Sequence, residues 1–192
     1  MSAPDQSIPE AVRRVIVRIK SNSMSKRNIY IYTGSGEGKT VAALGLALRA
    51  LGHGKKVVVF QFLKGRKDIG EYKIRKKLGP RFKIYQFGRK EFINLKKPSS
   101  YDIKLAEAGL NFAKAELKKK PDLLILDEVN LAAASKLLKI KEVLDLLKKV
   151  PSKTTVVLTG RSAPKEFKDM ASLVSEIKEV KYPDKTNKWL KC

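Results

Sequence analysis

From Asn28 onward the chain alternates between short runs of β-branched and aromatic residues and longer segments whose apolar positions recur every three or four residues. Ile29–Thr33 (IYIYT), Lys56–Phe62 (KVVVFQF), Phe82–Phe87 (FKIYQF), Asp122–Asp127 (DLLILD) and Thr154–Gly160 (TTVVLTG) predict strands. Leu173–Val180 alternates and predicts an outer strand. Between them, Lys39–Leu51 predicts a helix that is apolar nearly all round and therefore buried. Tyr101–Lys119 predicts an amphipathic helix with Leu105, Ala108, Phe112 and Ala115 on one face, Leu131–Lys149 a further helix, and Pro164–Met170 a short one. Strands alternating with helices imply an α/β domain, a mostly parallel sheet with helices on both faces, over residues 28–183.

The two ends of the chain break this pattern. Residues 1–27 form an N-terminal extension. Its Ala11–Lys20 stretch (AVRRVIVRIK) is basic and amphipathic, with a period that suits a strand or a helix, and Ser21–Arg27 reads as a linker. Met24 offers an alternative start, which the sequence leaves open. Residues 184–192 (DKTNKWLKC) form a short polar tail.

Composition narrows the class. Of 192 residues 43% are hydrophobic, enough for one sizeable core. Lys and Arg number 42 against 19 Asp and Glu, a formal charge of +23 that favours anionic partners. The lysines are dispersed beside helical apolar positions and far outnumber the arginines, which suits a solvated surface better than nucleic-acid readout, so no specific nucleic acid is expected. The single cysteine, Cys192, permits neither an internal disulfide nor a cysteine-based metal site and fits a reducing cytoplasm. No apolar run reaches membrane-spanning length, so no membrane partner is expected. His53, the only histidine, lies between two glycines at the end of a helix and makes a Ser-His-Asp arrangement an unsuitable reading.

The candidate chemistry sits where strands end. After the first strand, Gly34, Ser35, Gly36, Glu37 and Gly38 lead into Lys39-Thr40 at the start of a helix. Glycines allow backbone N–H groups to close on an anion, the helix N-terminus adds partial positive charge, Lys39 supplies a point charge to outer phosphates, and Thr40 offers a hydroxyl to a divalent metal. Thr33 stands where the usual phosphate-loop pattern has its first glycine, and the strand–turn–helix context supplies the match. Asp127-Glu128 follows the run LLIL, which places two hard oxygen ligands at the ligand-binding edge of a parallel sheet, as metal ligands or as a helix cap. Arg161, in Thr159-Gly160-Arg161, reads either as a fork onto phosphate or as a surface residue after a turn. The whole is a P-loop NTPase (RecA-like) domain that binds ATP with Mg²⁺ or Mn²⁺.

The stretches "YTGSGEGKTVAALGLALRALGHGKKVVVFQFLKG", "LLILDEVN", "EVLDLL…TTVVLTGR" and "MASLVSEIKEVKYP" resemble the P-loop corrinoid adenosyltransferases over Tyr32–Pro183. The resemblance implies that the nucleotide lies reversed on the loop, that Co(I) of a corrinoid attacks its 5′ carbon, and that triphosphate leaves as a cobalt–carbon bond forms. The nucleophile then belongs to the substrate, which accounts for the absence of a catalytic histidine or serine. On this reading Lys39, Thr40, Glu128 and Arg161 are catalytic, the metal is held through Thr40 and Glu128 with Asp127 beside them, and Arg161 and Arg49 approach phosphates. The resemblance also implies corrin-facing aromatics, for which Phe87 and Phe92 in "QFGRKEFINLKKPSSYD" are the available residues. It further implies an electron-donating reductase, a homodimer, and a lid role for the N-terminal extension. The ending is shorter than is usual for the family, and a tryptophan known in some relatives is missing from the corrin-side loop. Two other readings remain: a RecA-like ATPase acting on nucleic acid, and a non-catalytic nucleotide-binding module.

Overall fold

A computed structural model describes residues 27–91 and 93–181. The N-terminal segment Ala11–Lys20, Phe92 and the tail therefore lie outside the described residues. Six parallel strands form one sheet: β1 (Asn28–Thr33), β2 (Val57–Phe62), β3 (Phe82–Phe87), β4 (Leu123–Asp127), β5 (Thr155–Thr159) and β6 (Leu173–Glu176), in the order β3-β2-β4-β5-β1-β6. The helices are α1 (Lys39–Gly52), α2 (Gly70–Ile74), α3 (Ser100–Lys118), α4 (Val129–Ala134), α5 (Ile140–Lys148) and α6 (Lys165–Met170).

The pleat divides the core in two. Val57, Val59, Leu123, Ile125 and Val157 cluster with Ala43 and Ala47 of α1 on one face. Ile29, Ile31, Val58, Phe60, Leu124, Leu126, Val156 and Leu158 cluster on the other with α3, α4, α5 and Phe167 of α6. Both faces of the inner strands are covered, which is why β2 and β4 read as continuous apolar runs rather than as alternation.

Three expectations change. The segment Leu131–Lys149 is not one helix: Lys136 takes a left-handed φ of 61°, and the N–H groups of Leu137 and Leu138 both donate to Ala132 O. This turn breaks the helix and tucks Leu137 and Leu138 into the core. α1 is not buried all round. It meets the sheet through small residues, Ala43 and Ala47, while Val41 and Leu48 are 70% and 63% exposed on its outer side. The outer strand stops at Glu176; Ile177 instead turns its carbonyl to the Gly36 N–H at 2.9 Å. His53 is the C-cap of α1, as its glycine-flanked position predicts.

Candidate functional site

Because every strand is parallel, the C-terminal ends of β1, β2, β4 and β5 open on one edge of the sheet. The loop after β1 runs over Gly34–Gly38 into α1, with Gly34 at φ 104° and Gly38 at φ 102°, conformations that favour glycine. Gly34 and Gly36 have a second reason to lack a side chain. A Cβ on Gly34 would lie 2.3 Å from Ile177 O, and one on Gly36 would lie 2.8 Å from the Lys178 backbone, so the loop leans directly on the chain beyond β6. Ser35 and Glu37 are exposed. Lys39 is buried and its ammonium donates to Gly36 O, curled over its own loop.

Asp127, fully buried at the end of β4, is the organiser of this edge. Its Oδ1 accepts from the hydroxyls of Thr159 at 2.6 Å and Thr40 at 2.8 Å. Its Oδ2 accepts from Lys64 Nζ at 2.8 Å and Gln61 Nε2 at 3.2 Å. Burial alone would raise this carboxyl, but the Lys64 charge and the hydrogen bonds from Lys64, Thr159 and Thr40 outweigh it and hold Asp127 below the usual carboxylate range. Burial likewise opposes the charge on Lys64, yet Asp127, then Glu128 and Glu71, raise the ammonium above its ordinary value.

Glu128 differs from its neighbour. It takes a left-handed φ of 61° at the N-cap of α4, its N–H donates to Thr159 Oγ1 at 3.0 Å, and its buried Oε2 has no hydrogen-bond partner. Burial, then the charge of Asp127, pushes its carboxyl up, against the pull of Lys64, Lys39 and Arg161. A buried oxygen without a donor is costly unless a cation or proton completes it. Together with the Thr40 hydroxyl and Asp127, it makes an oxygen donor set suited to a hard divalent ion. No three His, Cys, Asp or Glu side chains cluster among the described residues, so such an ion needs ligand or solvent oxygens for the rest of its shell.

Arg161, after β5, reaches back to Glu37 on the loop, at 3.4 Å. It also lines, with Lys64 and Glu128, a cavity of about 390 Å³ beside the loop. Leu63, Ile69, Ile93, Leu95 and Leu131 give this cavity an apolar floor, and Arg66, Arg89 and Lys90 add positive charge. Arg89 is fixed there by a two-pronged pair with Asp102, both contacts at 2.8 Å; Asp102 is also half of the capping box that starts α3 at Ser99.

The structure thus brings together Gly34–Thr40, Asp127, Glu128 and Arg161. Two expected residues are placed elsewhere. Arg49 is exposed in the last turn of α1, ten residues and so roughly 15 Å along the helix from Lys39, and is not brought to the loop of its own chain. Phe87 is not among the residues lining the cavity; its ring stacks on Phe60 at 6.0 Å between centroids and presses on α3 where Gly109 leaves room for it. Sequence reasoning missed Lys64, Gln61 and Thr159. Lys64 and Gln61 stand in QFLKG at a strand's C-terminal end, the same signal that singled out Asp127-Glu128.

Comparison with known proteins follows the same lines. A model of the family "ATP:corrinoid adenosyltransferase BtuR/CobO/CobP" matches residues 25–189. The corrinoid adenosyltransferase CobA of Salmonella typhimurium is 34% identical over 170 residues, 88% of this chain and 85% of that protein. A corrinoid adenosyltransferase of Pseudomonas aeruginosa is 35% identical over 156 residues, 80% of this chain and 76% of its own length. Among solved structures, the flagellar accessory protein FlaH of Methanocaldococcus jannaschii superposes with a TM-score of 0.52 at 15% identity, covering 81% of this chain and 72% of that one. A KaiC-like protein of Pyrococcus horikoshii gives 0.50 at 16%, covering 79% and 73%. At such identities these two speak for the fold alone, which is that of the P-loop NTPases.

Proposed function

The chain belongs to the ATP:corrinoid adenosyltransferase family, and from that premise we propose how its residues divide the work of moving the 5′-deoxyadenosyl group of ATP to a corrinoid. It is a transferase, and the nucleic-acid ATPase reading is not favoured. The observation that carries the assignment of roles is that the phosphate loop and the cavity share a wall. Lys64, Glu128 and Arg161 line the cavity, and each also faces the loop or the carboxylates beside it.

On this reading the N–H groups of Gly34–Thr40 and the Lys39 ammonium hold the triphosphate, and Arg161 closes on it from the β5 side. Thr40, Glu128 and Asp127 hold a divalent cation, Mg²⁺ or Mn²⁺, which when bound supplies further neutralisation of triphosphate charge. The cavity seats part of the corrinoid with its reduced cobalt toward the 5′ carbon. Co(I) donates an electron pair to that carbon, the bond from carbon to the 5′ oxygen breaks, and its pair leaves on the triphosphate. The cobalt is thereby oxidised by two units. The protein needs no nucleophile of its own. It positions two reactants and stabilises the charge that develops on the leaving group.

Further parts of the reading concern the assembly. The catalytic domain spans 28–183, with the extension at 1–27 as a lid. A homodimer is supported by the outer side of α1, where Val41 and Leu48 lie open to a second copy. Cobalt must arrive as Co(I), so an electron-donating reductase supplies it, and the single cysteine suits the reducing cytoplasm. The test is anaerobic incubation with ATP, Mg²⁺ and chemically reduced corrinoid. A light-labile product with an alkyl-cobalt absorption spectrum supports the reading; recovery of unmodified corrinoid overturns it.

A further inference from the structure

The segment carrying Lys64 is held in an unusual way for a loop. Leu63 takes φ 61°, and its N–H donates to Phe87 O at 3.1 Å. The chains after β2 and β3 then cross at two glycines: a Cβ on Gly88 would lie 2.4 Å from Leu63 C, and one on Gly65 would lie 2.5 Å from Gly88 O. This crossing fixes the point from which the Lys64 side chain starts. Its ammonium ends 2.8 Å from Asp127 Oδ2 and 3.4 Å from Thr40 Oγ1. Thr40 and Asp127 are also two of the three side chains that the reading above assigns to a divalent cation, so the inference rests on that reading. A metal ion drawn to the same carboxylate and hydroxyl would lie at close range to the ammonium that already contacts both. Their like charges repel strongly at such separations in a site largely shut off from water. The side chain has somewhere to go, because Lys64 already lines the adjoining cavity.

We propose that Lys64 is a displaceable internal cation: its ammonium occupies the metal position of the nucleotide-free enzyme, and loading of metal and nucleotide moves it into the cavity that receives the corrinoid. Two consequences follow. Metal without nucleotide binds weakly, because it must expel a bound positive charge. The wall shared with the cavity changes once ATP is in place, because the Lys64 ammonium has then left Asp127.

The experiment measures Mn²⁺ binding to the nucleotide-free protein by electron paramagnetic resonance, for wild type, Lys64→Met, Lys64→Gln and Lys64→Arg. The neutral variants are expected to bind Mn²⁺ at least tenfold more tightly than wild type, and the Arg variant no more tightly than wild type. Thermal melts accompany the titrations. Removing Lys64 leaves Asp127 short of one partner, so Met and Gln should lower Tm, and saturating Mn²⁺ should restore more of it than it adds to wild type. Equal or weaker Mn²⁺ binding in both neutral variants, tight binding in Lys64→Arg, or neutral variants that remain unfolded at saturating Mn²⁺ would each overturn the proposal. The last counts because a metal that takes the ammonium's place must also replace it structurally. No corrinoid enters these measurements, so they decide the role of Lys64 independently of whether the wild type adenosylates.

Discussion

The two halves of the site are built by different means. On the phosphate side, the start of α1, the ends of β2 and β5 and the residue Lys64 beyond β2 meet at Asp127 in a dense set of hydrogen bonds, beside one short glycine loop. On the cavity side, the wall comes from connections after β2 and β3, held by a glycine crossing and by the Arg89–Asp102 pair. In the proposed function the first half recognises a fixed shape, a chain of phosphates, with backbone groups, and the second meets a large ring system with an apolar floor and long cationic side chains. Backbone recognition needs a specific local conformation and leaves a short sequence motif. A side-chain-lined cavity needs only loops of suitable length and composition, and leaves almost none.

Substitutions can separate the halves. The largest effect is expected from Lys39→Ala, which should lower kcat about 100-fold or more by removing a fixed charge opposite the leaving phosphates. Circular dichroism should stay that of the wild type, since the ammonium's partner in the fold is its own loop. Activity near wild type would remove the loop from the chemistry.

Gly88→Val should act on the other half. Its Cβ would meet the Leu63 backbone, which cannot swing aside as a side chain can, so a loss of about 1–3 kcal/mol is expected. The accompanying shift of the Leu63–Gly65 and Gly88–Lys90 walls should raise the corrinoid KM severalfold while ATP binding, measured by calorimetry, changes little. An equal loss of both affinities would mean that the halves are not separable.

Glu128→Gln tests their shared wall. It keeps shape but removes the charge on the side of the unpartnered oxygen, and should raise the Mg²⁺ needed for half-maximal rate severalfold. An unchanged metal titration would move the ligand role to Asp127 or to solvent.

The smallest effect is on pH dependence. The Ser99 hydroxyl first, then the Arg89 guanidinium and the Ser99 N–H, together outweigh the opposing effect of burial and hold Asp102 below its usual range. A depressed folded-state pKa means stability that is present above the unfolded carboxyl value of about 3.9 and lost as pH falls through the folded one. Wild type should lose Tm between pH 5 and lower values, and Asp102→Asn should lose less over the same window while starting lower at pH 7. Parallel curves would leave this pair without a part in the acid response.

How much of this was legible follows from the same contrast. The strands were, because β2 and β5 are β-branched runs between turn signals and β4 carries a short, wholly apolar run, LLIL, shortly after Pro121. Gly34–Thr40, Asp127, Glu128 and Arg161 were found from motif and position, and the structure brings them to one edge. The break at Lys136 was not legible, because LLKI continues a helical period and only the packed core shows that Leu137 and Leu138 are both needed inside. Arg49 was expected near phosphates from the family resemblance, yet it lies exposed in the last turn of α1, on a helix that is open on its outer side. Phe87 was offered as a corrin-facing aromatic because the family resemblance implies one in that stretch, whereas the pleat of β3 and the gap at Gly109 turn it toward α3. Lys64 escaped although it stands just past the end of a strand, because one lysine among so many is not set apart until its distance to Asp127 is known.

The central claim is that the phosphate loop serves transfer of carbon rather than cleavage at the outer phosphates. The direct measurement is phosphorus NMR of the products formed from ATP with and without Co(I) corrinoid under anaerobic conditions. The account predicts intact triphosphate, formed one for one with adenosylated corrinoid and absent when the corrinoid is left out. ADP and inorganic phosphate as the main products, at the same rate with or without corrinoid, would contradict it.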